Sequence, residues 1–85
     1  MTEDEALFVY YLGMGDNDKA NVFGQNITNP YLADNLQLIL LTKDNWQFKD
    51  FMYMDSLETD LIIEIISKYA EGENFKNRPK KQPKK

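Results

Sequence analysis

Carboxylates are the only side chains here that offer acid–base or metal chemistry. Asp50, Asp55, Glu58 and Asp60 stand close together in the sequence, and paired carboxylates can hold magnesium or divide the roles of general acid and base. Helix-end duties compete for two of them, because Asp55 and Glu58 have the spacing of an N-cap and its capping-box partner. Asp60 and Glu64 fall four apart on the polar side of the same segment, where like charges repel mildly. Asp16-Asn17-Asp18 invites a calcium reading. An EF-hand loop from Asp16 would need a ligand, a glycine and a glutamate where the sequence has Ala20, Asn21 and Ile27, so a solvated turn fits better.

The rest of the catalytic repertoire is missing. The chain has no Cys and no His, which removes thiolate nucleophiles and zinc sites, the commonest general base and the His-dependent triads. Ser56 and Ser67 are the only serines, and neither sits in a G-x-S-x-G elbow. None of the four glycines opens a phosphate-binding loop. A carboxylate site needs a pocket and supporting groups, and 85 residues leave little material for either. The expectation is a protein that is not an enzyme and has no cofactor and no metal site.

The formal net charge of −4 conceals a division. Residues 76–85 hold six of the ten cations and no acid, so residues 1–75 carry four cations against fourteen acids, a net of −10. Such a body repels a phosphate backbone, and nucleic acid is not an expected partner. The acidic N-terminal residues do not resemble an export signal, and no apolar run, Leu38 to Leu41 included, is long enough for a membrane span. A cytoplasmic, soluble protein is expected.

The elements that would position side chains are helical. Thr2 and Glu5 form a capping box for a helix over 2–12, with Leu7, Phe8, Tyr11 and Leu12 as its apolar stripe. Residues 16–29 read as a polar loop, with Val22 and Phe23 on a short turn at most. Asn29-Pro30 starts a helix to about Thr42. Its stripe of Leu32, Leu36, Ile39 and Leu40 is widened by Leu38 and Leu41, implying burial on more than one side. Asp44 or Asn45 could cap a short helix through the apolar stretch 44–54. The clearest helix covers 56–71, with Asp55 as cap, Leu57, Leu61, Ile62, Ile65, Ile66 and Tyr69 on one face, and Gly72 as its stop. The expected fold is all-α: a small bundle of three to four helices in a single domain over 1–75, followed by a disordered basic tail over 76–85. The alternative is an α+β fold with a hairpin at 36–53, supported by aromatic content and weakened by the lack of glycine in its turn.

Trp46, Phe48, Phe51, Met52, Tyr53 and Met54 gather residue types that dominate protein interfaces. Phe51 and Met52 are assigned to the core, whereas Trp46 and Tyr53 suit core and interface equally. The run Phe48-Lys49-Asp50-Phe51-Met52-Tyr53-Met54-Asp55-Ser56-Leu57-Glu58-Thr59-Asp60-Leu61-Ile62-Ile63-Glu64-Ile65-Ile66 resembles the tail assembly chaperones of long, non-contractile-tailed phages of Gram-positive bacteria. In those proteins an aromatic-rich turn leads through a Met-Asp pair into an amphipathic helix. The resemblance covers residues 44–71. It implies a non-catalytic protein that acts in many copies and binds the hydrophobic, helical tape-measure protein, keeping it soluble during tail assembly. Residue type and position then nominate Trp46, Phe48, Tyr53, Leu57, Leu61 and Ile65 for partner binding or self-assembly, with a homo-oligomer expected. The alternative is a small acidic phage inhibitor that imitates DNA at a host nucleic-acid enzyme.

Overall fold

Each helix is started by a side chain that accepts a hydrogen bond from an otherwise unpaired backbone N–H. The computed structural model describes residues 1–77, apart from the side chain of Phe48. Within that range the Thr2 hydroxyl accepts from the Glu5 N–H at 3.2 Å and the Glu5 carboxylate accepts from the Thr2 N–H at 2.9 Å, opening α1 (Glu3–Met14). Gly15 ends α1 in the left-handed region at φ 77, with its N–H on the Leu12 carbonyl and the Asp16 N–H on the Tyr11 carbonyl. Asp16 at once caps α2 (Asn17–Gly24) by accepting from the Lys19 N–H at 3.1 Å. Asn29 accepts from Tyr31 and Leu32 to open α3 (Pro30–Leu41), with Pro30 in the first turn. A 3₁₀ turn (Lys43–Asn45) and the single-turn α4 (Phe48–Phe51) follow. The last helix, α5 (Ser56–Asn77), starts with the Asp55 carboxylate on the Leu57 N–H at 2.8 Å.

The fold is all-α, and no strand occurs among the described residues. Helix α3 runs through Leu36–Leu41 and a 3₁₀ turn stands where the hairpin alternative places its reversal, so that alternative is excluded. Among the described residues the bundle has five α-helices, one more than the sequence reading of three to four. The additional one is α2, in the segment read as a loop: Asp16 caps it, Ala20 is fully buried, and Phe23 stacks on Tyr11 of α1 with ring centroids 5.7 Å apart. The cap of α4 is also shifted. The Gln47 N–H, not a group at 44 or 45, is bound by the Asp50 carboxylate, at 2.7 Å.

Helix α1 lies between α2 and α5. Its buried line is Glu5, Val9 and Gly13, not the stripe of Leu7, Phe8, Tyr11 and Leu12, which is only half-buried. The reason is a close crossing with α5. A Cβ added at Gly13 would strike the Tyr69 carbonyl oxygen, and one at Gly72 would strike the Tyr10 carbonyl oxygen and come within 2.9 Å of the Met14 nitrogen. Only paired glycines admit backbones this close. Gly72 therefore does not stop α5. The helix continues to Asn77, past the expected end at Glu71 and the expected domain edge at 75; the rest of the expected tail, 78–85, lies outside the described residues.

Glu5 is 1% exposed. Besides the Thr2 N–H it accepts from the Thr28 N–H at 3.0 Å and the Asn29 N–H at 2.9 Å. One carboxylate thus fastens the start of α1 to the connection between α2 and α3. Leu32 and Ile39 of α3 join Val9 of α1 and Leu61, Ile62 and Ile65 of α5 in one core. Each such aliphatic side chain contributes about 1.5–3 kcal/mol by leaving water. The Cα trace is 19 Å across its thinnest axis, two helices deep, so few side chains can be buried on all sides.

Candidate protein-docking surface

Helix α3 uses one side against α5 and leaves the other open. At 100° per residue, Leu38 and Leu41 stand about 120° and about 180° round the helix from Leu32. They are 61% and 74% exposed, so the widened stripe marks an uncovered face and not burial on two sides. Beyond α3 the chain turns through the 3₁₀ segment to Trp46, whose indole stacks on Phe51 with centroids 5.5 Å apart and planes at 21°. The Trp46 Nε1–H is covered and has no acceptor among the described residues. Phe51 packs against the core as expected, whereas Met52, assigned to the core by sequence, is exposed.

The nominated residues divide. Tyr53 is 94% and Leu57 77% exposed, and Trp46 is half-buried. Leu61 and Ile65 are core residues, because the α5 face that carries them meets α1 and α3. Ile65 is fully buried and has no surface to offer a partner, whereas Leu61 keeps a small exposed edge that lines a concavity with Leu57. The side chain of Phe48 lies outside the described residues.

Three shallow concavities connect the exposed apolar groups. The first, about 460 Å³, is lined by Leu38, Thr42, Asn45, Trp46 and Asp50. The second, about 320 Å³, is lined by Asp50, Tyr53, Met54, Asp55 and Glu58. The third, about 460 Å³, includes Tyr31, Leu57, Glu58, Asp60 and Glu64. Asp50 belongs to the first and second, and Glu58 to the second and third. They form one curved path from α3, past α4, to the start of α5. Leu38, Trp46, Tyr53, Met54, Leu57 and Leu61 supply its apolar surface, and carboxylates are interspersed along it.

The charged groups along this path are held locally. Asp50 and Asp55 accept helix-start N–H groups. Glu58 accepts the Tyr31 hydroxyl at 3.4 Å, instead of making the return bond of a capping box. Burial, followed by the Glu58 charge and that hydrogen bond, pushes the Tyr31 phenol above its usual value. The terminal ammonium of Met1 pairs with Glu64 at 3.4 Å. Lys43 lies between Asp44 and Glu73, at 3.3 and 3.6 Å, with its ammonium 5.8 Å from the centre of the Tyr69 ring, and so ties the end of α3 to α5. The Asp44 hydrogen bond is the main reason its pKa is raised, and the Glu73 charge adds to it against the effect of burial. Among the described residues no group of three or more carboxylates is placed to hold a metal ion, and no helix is long and apolar enough to cross a membrane.

Sequence reasoning missed Leu38, Leu41 and Met52. The signal for the first two was present in their angular offset from Leu32 and Ile39. Comparison of the chain with protein-family models, with curated proteins and with solved structures gives no match.

Proposed function

We propose that the protein is a non-catalytic binding module that holds a hydrophobic helical segment of another protein. In the setting that the phage resemblance implies, it is a tail assembly chaperone that keeps the tape-measure protein soluble in the host cytoplasm, acting as an oligomer along it. One observation carries this reading: Leu38, Trp46, Tyr53 and Leu57 line adjoining concavities, three of these four are more than half exposed, and Leu41, also exposed, stands beside Leu38 on the open face of α3. Covering such side chains would yield about 1.5–3 kcal/mol each before the cost of association is subtracted. A groove lined by apolar groups is the ordinary seat of an amphipathic helix.

The test is co-expression with a long-tailed phage tape-measure protein. The chain should move that protein from inclusion bodies to the soluble fraction, and Leu38→Glu with Leu41→Glu should abolish the effect while the circular dichroism spectrum stays unchanged. A chain that rescues nothing and remains monomeric at every concentration would remove this reading. The acidic row of Asp50, Asp55, Glu58, Asp60 and Glu64 favours a second one, the imitation of a phosphate backbone at a nucleic-acid enzyme. It requires a one-to-one complex that DNA displaces and that is indifferent to the Leu38 and Leu41 replacements.

A further inference from the structure

We infer that the segment fitting this surface is a cationic amphipathic helix, with an apolar stripe for the apolar groups of the path and Lys or Arg beside it for the carboxylates. The inference rests on the docking reading above and specifies the chemistry of the occupant. Five carboxylates, Asp50, Asp55, Glu58, Asp60 and Glu64, line the three concavities, and among the described residues no Lys or Arg lines any of them. The only cation there among the described residues, the Met1 ammonium, is already paired with Glu64. Four of these carboxylates are fixed by hydrogen bonds or an ion pair to their own chain, so their charge stays beside the apolar groups. Fixed carboxylates interspersed with apolar groups select a ligand of complementary pattern and repel one that carries acids beside its apolar stripe. A second copy of the chain offering the same surface is disfavoured, because a two-fold interface would set these carboxylates against themselves.

Trp46 is the single tryptophan of the chain and lines the path, so its emission reports occupancy directly. Three peptides test the inference against the full-length protein. One is a helix of roughly eighteen residues with apolar groups at i, i+3, i+4 and i+7 and Lys on the flanks. The second keeps the stripe and replaces each Lys by Glu. The third is Lys-Asn-Arg-Pro-Lys-Lys-Gln-Pro-Lys-Lys, the sequence of residues 76–85, which has charge and no apolar residue. The first peptide should shift Trp46 emission to the blue with saturation, and should weaken progressively towards about 0.5 M salt. The Glu peptide should bind at least about tenfold more weakly, and the third should not saturate. Asp50→Asn with Glu58→Gln, which keeps both local acceptors, should narrow the gap between the first two by about tenfold. Equal binding of the Lys and Glu peptides overturns the charge rule and leaves the docking surface standing. Failure of both overturns the docking reading itself. Binding of the third as tight as the first shows attraction by charge alone and overturns the inference.

Discussion

A single buried acid holds more of this structure than any apolar residue does. Glu5 is nearly inaccessible, yet its carboxyl titrates below its usual value. Burial raises it, and the backbone N–H groups of Thr2, Asn29 and Thr28, together with the Thr2 hydroxyl, outweigh burial. A carboxylate whose value is depressed in the fold stabilises it fully above the unfolded-state value near 4.5. That contribution is lost as pH falls through the lower folded-state value. Glu5→Ala leaves these donors without their acceptor and should cost about 2–4 kcal/mol in urea unfolding at neutral pH. The variant's stability should also fall less steeply than the parent's as pH drops below 4.5. Trp46 poses the opposite case, a donor with no acceptor. Trp46→Phe keeps an aromatic ring beside Phe51 and removes the orphan N–H, so the free protein should be unchanged or slightly more stable by thermal unfolding. If an acceptor on the bound helix meets that N–H, calorimetric affinity for the cationic peptide should fall by about 0.5–1.5 kcal/mol.

At the scale of elements, the contact that decides the architecture is the crossing of α1 and α5 at Gly13 and Gly72. Local propensity alone would make Gly72→Ala stabilising by about 1 kcal/mol within a helix. The crossing reverses the sign, because the new Cβ falls on the Tyr10 carbonyl, and a net loss of about 1–3 kcal/mol is expected in denaturant unfolding. This pair also shows what was legible in the sequence. The caps at Thr2, Asn29 and Asp55 and the stripe Leu61, Ile62 and Ile65 could be read directly, since capping and periodicity are local. Gly72 could not, because a glycine that ends a helix and one that admits a neighbouring backbone look alike until the partner helix is placed. Helix α2 was missed for a related reason: its polar sequence is secured by Ala20 and Phe23 packing on α1. The path along Leu38, Trp46 and Tyr53 was half legible. The aromatic cluster pointed to it, but without the position of α5 the same letters served equally well for a core.

For the molecule as a whole, charge and thinness act together. A body two helices deep leaves apolar groups outside, and a net of −10 over residues 1–75 opposes contact between two copies of the same acidic face near neutrality. The sequence isoelectric point is about 4.6. Sedimentation velocity should therefore show self-association rising as pH approaches that value. Leu38→Glu with Leu41→Glu should suppress the rise at matched net charge per copy; association unaffected by that change would place the sticky surface elsewhere.

The tight glycine crossing joins residues fifty-nine positions apart, on the earliest and latest of the described helices. During synthesis α1 emerges without the surface it needs, and Val9 stays open until nearly all of α5 has followed. Loop closure over that span precedes any reward from packing. The chain therefore acquires its core in one step that waits for α5, and passes its vulnerable interval as an incomplete set of helices instead of maturing piece by piece.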